Sequence, residues 1–341
     1  MKEIGSEFWI DAIFREMHAV PKETFVLSGR TAIDLIIQDI LKFRKVRNVY
    51  LPAYCCDSMI DPFVRNGIEV VLYDMCFDGN LHYLIDEDKS IDIFYVNNYF
   101  GYENTVRNDV IERFKSKGAI VIYDKTHSLF MTDDHTDALA DYTFASIRKW
   151  MGVVCGAVVK KSLGSFDATL IEYPFLQCKI EAMQEKRRYI KGDSNIDKQS
   201  FLGKYGEFGH HLAEDYQGYK MDEQSVSIWL QSNKFTIREV RRENADVLHQ
   251  ALSLQFIGKL TAKSCPLFVP VLFKTTDERN TVRKRLIEEQ IYCPIHWPKN
   301  QMITPDMEVN KIFDTELSLI CDQRYSAVDM ERIVKVINNI N

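Results

Sequence analysis

A chain of 341 residues, 46% of them hydrophobic, is long enough for one large domain with a substantial core and a smaller second one, and its composition excludes a disordered protein. Forty-three basic against 49 acidic residues leave a net charge of -6, and no basic stripe with interleaved aromatics follows the pattern of a phosphate backbone, so nucleic acid is not an expected partner. The eight cysteines (55, 56, 76, 155, 178, 265, 293, 321) form no CxxC pair and several fall inside apolar runs, so reduced, mostly buried thiols are expected rather than a zinc site.

The N-terminus, MKEIGSEFWIDAIF, lacks the continuous apolar core of a secretory peptide, and the longest uncharged apolar run, MGVVCGAVV from Met151, is too short to span a bilayer. A soluble, cytoplasmic protein with no membrane partner is expected. In TAIDLIIQDILKF, Ile33, Ile36, Ile37, Ile40 and Leu41 recur at helical spacing. From about Val46 to Val159, short β-rich runs alternate with helical patterns: RNVYLPA, GIEVVLYDM, IDIFYVNNYFG, GAIVIYDKTHS, DYTFASI and CGAVVKK. Such alternation predicts an α/β fold, a mostly parallel sheet with helices on both faces. Residues 162–217 are more polar and read as helices and loops at the surface or at a subunit contact. A long helical stretch is expected from about Asp222 to Leu254. PLFVPVLF, the helix DERNTVRKRLIEEQ, the strand IYCPIHW, the run LSLICD and the helix AVDMERIVKVINNI then form a small α+β domain. The expected division is 1–240 for the large domain and 241–341 for the small one.

In an open parallel sheet, ligands sit beyond the carboxyl ends of the strands, which makes the polar residues there the candidates. SGRTAI (Ser28 to Ile33) opens the first helix, where free N–H groups attract a phosphate; its ordinary reading is a cap on Ser28. IYDKTHS places Asp124 at a strand end and His127 three residues on, where a turn-former would also serve. Ser146 and Lys149 follow the next strand, where a lysine is ordinarily solvated, and IHWP sets His296 beside Trp297, a pair that could simply pack. One cofactor needs the first three together. Pyridoxal phosphate requires a lysine to tether it, an acid on its pyridine nitrogen and donors for its phosphate. Lys149, Asp124, and SGRT with Ser146 would supply these, and His127 could hydrogen-bond the phenolic oxygen.

The same segments resemble the fold-type I pyridoxal-phosphate enzymes, and among them the DegT/DnrJ/EryC1/StrS group of sugar aminotransferases. SGRTAI, VYLPAYCCDSMIDPF, VNNYFGY, VIYDKTHS, FASIRKWMGVVCGAVV, IYCPIHWP and SLICDQRYSAVDMERIVKVI resemble that group's landmarks, in order along most of the chain. The resemblance implies that Lys149 carries the cofactor, that Asp124 partners its ring nitrogen, and that Gly29, Arg30 and Thr31 hold the phosphate through backbone N–H groups, with Ser146 adding its hydroxyl. It further implies an aspartate aminotransferase-like fold, a homodimer, glutamate as amino donor and a nucleotide-linked keto sugar as acceptor. His296, Trp297, Arg324 and Tyr325 are candidate acceptor contacts, Arg324 having a surface salt bridge as its alternative. The sequence departs from the group in four places. Cys56 stands where an aromatic residue stacks on the cofactor ring, a role Tyr54 could take instead. Lys220 stands where an Asn reaches the neighbouring subunit's phosphate, Ser146 lies three rather than five residues before the lysine, and the glycine-rich segment after it is reduced to Gly152 and Gly156. Two other readings remain: another fold-type I enzyme of lyase or desulfurase type, although no cysteine sits in an evident flexible segment, and a non-catalytic protein that keeps the cofactor fold as a binding module.

Overall fold

The computed structural model describes residues 3–10, 23–132 and 135–340. The first elements are, in chain order, β1 (Ile4–Gly5), β2 (Thr24–Val26), α1 (Gly29–Leu41), β3 (Asn48–Pro52), α2 (Asp57–Arg65), β4 (Glu69–Phe77), β5 (Leu81–Leu84), β6 (Ile93–Asn97), α3 (Asn108–Ser116), β7 (Ile120–Asp124), β8 (Tyr142–Ser146) and β9 (Ala157–Lys161). Eight of these strands form one sheet, in the order β2-β9-β8-β7-β6-β3-β4-β5. All pairs from β4 through β3, β6 and β7 to β8 are parallel, whereas the pairs β8–β9, β9–β2 and β4–β5 are antiparallel. The apolar runs at the centre, IFYVN and IVIYD, are buried at every position because helices cover both faces. On one face Ile33, Ile36, Ile37 and Ile40 of α1 pack with Phe63 of α2 against Val49, Ile93 and Ile122. On the other, Val110, Ile111 and Phe114 of α3 pack against Tyr50, Phe94 and Val121. Leu41, at the end of the α1 stripe, is exposed. The short edge strands β2 and β5 escaped the sequence reading, as strands of three and four residues carry little periodicity.

The polar segment folds into two packed helices, α4 (Leu176–Ile190) and α5 (Lys198–Glu214). The single long helix expected from Asp222 is two, α6 (Glu223–Gln231) and α7 (Lys234–Ala251). Ser232 has extended backbone, its hydroxyl donates to the Trp229 carbonyl, and Asn233 caps α7 through the Thr236 N–H at 3.1 Å. The chain continues with β10 (Gln255–Phe256), β11 (Val269–Leu272), α8 (Thr276–Glu288), β12 (Ile291–Tyr292), α9 (Asn310–Thr315), β13 (Glu316–Leu319) and α10 (Ala327–Asn338). In IYCPIHW only Ile291 and Tyr292 are strand, since Pro294 has no N–H to extend a ladder. Strands β10, β11 and β13 form an antiparallel sheet, and β1 pairs in parallel with β12.

The boundary expected at residue 240 falls inside α7, whose Ala245, Leu248 and the following Leu252 share a core with Met330, Ile333 and Ile337 of α10. Ile4 joins that core, so the start of the chain belongs to the smaller unit. No described helix is long and apolar enough to cross a membrane.

Candidate active site

The carboxyl ends of β6, β7 and β8 face the first turn of α1 across a crevice of about 140 Å³. Pairing in register puts Asn97 opposite Asp124, and Asp124 opposite Phe144 two residues before Ser146. Parallel neighbours that end together therefore bring Asn97, Asp124 and Ser146 to the crevice. Gly29, Arg30, Cys56, His127, Lys149 and Trp297 line it as well.

Lys149 ends a one-turn 3-10 helix, Ile147–Lys149, directly after β8. Two features fix this turn. The Gly156 carbonyl accepts the N–H groups of Ile147 and Arg148 at 2.9 and 3.4 Å, and Gly156 has a φ of +135° that favours glycine. Trp150, fully buried, donates its indole N–H to the Thr126 carbonyl at 2.6 Å and lies under the Arg241 guanidinium at 4.6 Å. Burial is the largest influence on the Lys149 ammonium and pushes it below the usual lysine range; Cys56 and Asp124 oppose that push and Arg148 adds to it.

Asp124 is buried, with one oxygen accepting the Thr126 N–H at 2.7 Å and the other the Tyr95 hydroxyl at 2.9 Å. Burial pushes its carboxyl above the usual range, against those hydrogen bonds and the charge of Lys149. His127 is also buried and is held well below the usual imidazole range by burial first and then by Lys149 and His296. Its Nδ1 accepts the Phe100 N–H at 3.3 Å, so the single proton of this neutral ring sits on Nε2 and is available for donation. Trp297 lies near-parallel to His127, with ring centroids 5.5 Å apart, and Lys149 Nζ is 6.0 Å from the Trp297 centroid.

At the start of α1, Ser28 is the cap: its Oγ accepts the Thr31 N–H at 3.2 Å and bonds the Thr31 hydroxyl at 3.0 Å. This corrects the expectation for Thr31, whose N–H is already engaged and which lies outside the crevice. The first-turn N–H groups without an intrahelical partner are those of Gly29 and Arg30.

A wider cavity of about 530 Å³ shares Arg148 and Lys149 with the crevice, and His296 lines it. His296 Nδ1 is 2.8 Å from Ser318 Oγ, the Ser318 hydroxyl donates to Glu316, and Glu316 accepts the His296 N–H at 2.8 Å. Burial, with Lys149 second, pushes His296 down to about 3, and burial pushes the Glu316 carboxyl up to about 8. Arg324 borders this cavity. It is a largely buried partner of Asp322 at 2.8 Å, with its guanidinium 3.9 Å from the Phe8 ring centroid. Tyr325 lines neither cavity and is packed in the small core, where its hydroxyl accepts the Gly5 N–H at 2.9 Å. Tyr54 is core too, bonded to the His296 carbonyl, which removes it as the residue stacking on a ring in the crevice. Lys220 bridges Val26 at the sheet edge and pairs with Glu172 at 3.4 Å.

The sequence reading named neither Arg148, Asn97 nor Asn98 as site residues, although all three line the crevice. The paired asparagines of VNNYFGY at a strand end were the available signal. Their Oδ1 atoms, with Nε of Arg30 and of Arg148, are buried without a hydrogen-bond partner among the described residues. Orphaned polar atoms around one crevice mark a place for a polar ligand. A lysine of lowered proton affinity, a buried carboxylate, an imidazole donor and a cationic helix start are the donor set that pyridoxal phosphate needs.

No protein-family model matches the chain, and no curated protein matches it by sequence. Solved structures do match in fold. Helicobacter pylori PseC, an aminotransferase involved in the biosynthesis of pseudoaminic acid, is similar with a TM-score of 0.67 at 13% identity, over 94% of this chain and 86% of PseC. Spr1654 from Streptococcus pneumoniae, in its PLP form, is similar at 0.64 and 13% identity, over 94% of this chain and 87% of Spr1654. A DegT DnrJ EryC1 StrS aminotransferase from Brucella abortus is similar at 0.61 and 13% identity, over 94% and 86%. These likenesses bear out the fold-type I aminotransferase architecture that the ordered motifs implied.

Proposed function

We propose that this protein is a pyridoxal-phosphate-dependent aminotransferase that moves an amino group, with glutamate as donor, to a keto sugar linked to a nucleotide. One observation carries the reading: Lys149, with its proton affinity lowered by burial, shares a single crevice with Asp124, His127 and the open start of α1. The fold of Spr1654, described as a sugar aminotransferase, supports the sugar as acceptor class. The reading also carries a homodimer in the cytoplasm, and the mass in solution tests the first of these.

When bound, pyridoxal phosphate supplies an electron sink for the carbanion left when an amino acid loses its α-proton. Lys149 would hold it through Nζ and, once released, carry a proton at that atom; an amine whose proton affinity is lowered by burial suits both tasks. Asp124 would hold a proton on the ring nitrogen, and pairing with that cation would offset the burial that raises its carboxyl. His127 Nε2–H would donate to the phenolic oxygen, and its neutrality keeps a further charge out of the crevice. Gly29 and Arg30 N–H groups and the Ser146 hydroxyl would bind the phosphate. Trp297 walls the crevice beside His127, and Cys56, its Sγ 2.9 Å from Ser58 Oγ, also lines it. The wide cavity opens at Lys149 and would admit the donor and then the acceptor, with His296 on its wall.

The test is to purify the protein, record its visible absorption and add glutamate. A band that shifts while 2-oxoglutarate is released supports aminotransfer. A band that responds to no amino acid favours the non-catalytic binding protein, and a chain that takes up no cofactor ends the proposal.

A further inference from the structure

We propose that the guanidinium groups of Arg30 and Arg148 form a two-sided clamp for the cofactor's phosphate dianion, adding side-chain charge to the backbone donors at the start of α1. The inference rests on the cofactor reading and goes beyond it, because neither side chain is needed for a capped helix or a tethering lysine.

Arg30 is the second residue of α1, and Arg148 directly precedes Lys149 in the 3-10 turn; both line the same crevice. In each the Nε is inside the protein with no acceptor, and neither arginine forms an ion pair among the described residues. Glu7 feels the charge of Arg148, but its carboxylate is bonded to Lys179 at 3.2 Å. Among the described residues the only carboxylate lining the crevice is Asp124, whose oxygens accept from the Thr126 N–H and the Tyr95 hydroxyl. Two guanidinium groups thus share the crevice with a single carboxylate, an imbalance that a dianion would correct. A guanidinium presents its donors in a planar fork that matches phosphate oxygens, and two forks on opposite elements can bind one group from two directions. Asn97 and Asn98, both at least nine-tenths buried, line the same crevice and have buried amide oxygens without a partner among the described residues, an independent sign that it is built around a polar ligand.

Arg148 also borders the wide cavity, where a substrate carboxylate could take it instead, so the experiment must read the phosphate alone. The full-length protein, stripped of cofactor, is titrated with pyridoxal phosphate and with pyridoxal, which lacks the phosphate, using tryptophan fluorescence; Trp297 lines the crevice and Trp150 follows Lys149. Arg30→Met and Arg148→Met should each weaken pyridoxal phosphate about 10- to 100-fold, the range for a lost charge-assisted hydrogen bond, and leave pyridoxal affinity unchanged. Arg30→Lys should recover part of the loss, and inorganic phosphate should compete in the wild type but not in the double variant. Pyridoxal binding doubles as the control for folding. Equal weakening of both ligands, or no change in either, overturns the clamp alone, and loss confined to Arg30→Met assigns Arg148 to the wide cavity and overturns the two-sided form. A wild-type chain that binds neither ligand overturns the cofactor reading and the clamp with it.

Discussion

The two cavities that meet at Lys149 treat charge in opposite ways. Around the wide cavity, apart from the shared Arg148, cationic side chains such as Arg241, Arg324 and Lys198 are spent on the protein itself. Arg241, fully buried, donates to Gln323 at 2.8 Å and to the carbonyls of Leu267, Pro266 and Trp150 at 2.9, 3.2 and 3.3 Å. Arg324 is paired with Asp322, and Lys198 with Glu3 and with the Tyr292 hydroxyl at 2.9 Å. In the crevice, Arg30 and Arg148 keep unpartnered donors and Lys149 is pushed toward neutrality. A paired cation costs little to bury and can serve as wall; an unpaired one is costly and persists where a ligand supplies its counter-charge. Partnership thus separates scaffold from site better than residue type does.

The comparison can be broken first at its shared residue. Lys149→Ala should remove the visible absorption of the tethered cofactor and lower turnover by at least ~10⁴-fold, read by absorption and by release of 2-oxoglutarate. Asp124→Ala should keep the tether but lose about 10²- to 10⁴-fold in turnover, and a fully active variant would strip Asp124 of its role. On the wall side the effect should be on stability instead. Asp322→Ala removes a buried carboxylate paired with Arg324 and should cost about 3–5 kcal/mol in denaturant unfolding, with cofactor affinity unchanged in the protein that stays folded. The smallest effect sharpens the electrostatics. The Glu316 carboxyl is raised in the folded chain to about 8 from 4.5, so the folded state keeps a proton that the unfolded chain releases above about pH 4.5. Stability from this group is complete below that pH and is lost as pH rises toward 8, on the order of 3 kcal/mol between pH 5 and 7.5. Glu316→Gln should flatten that part of the profile of melting temperature against pH, and a variant whose profile still falls like the wild type would show that Glu316 is already ionised.

Much of the site was legible because strand ends are legible. Asp124 and Ser146 close apolar runs, Lys149 follows one by three residues, and Gly29 sits just past the cap of an evident amphipathic helix; such positions point beyond the sheet whatever the rest of the fold does. Arg148 was hidden because an arginine beside a lysine reads as one more surface charge. Asn97 and Asn98 were hidden because nothing local says that their amides lack partners. Thr31 and Tyr325 show the converse: each carries the right chemistry but lies outside both cavities with a neighbour already using it, whereas Arg324 borders the wide cavity with Asp322 on its guanidinium.

By itself the sequence determined the alternation of strands and helices, and with it the parallel sheet and the edge at which a ligand would sit, because hydrophobic period and strand-end polarity are local properties. Only the tertiary structure decided which charges are paired, that the first residues join the small core, that the helix after Asp222 breaks at Ser232, and that Lys149 opens on two cavities at once. Burial, register and partnership are relations between residues far apart in the chain, and no local pattern encodes them.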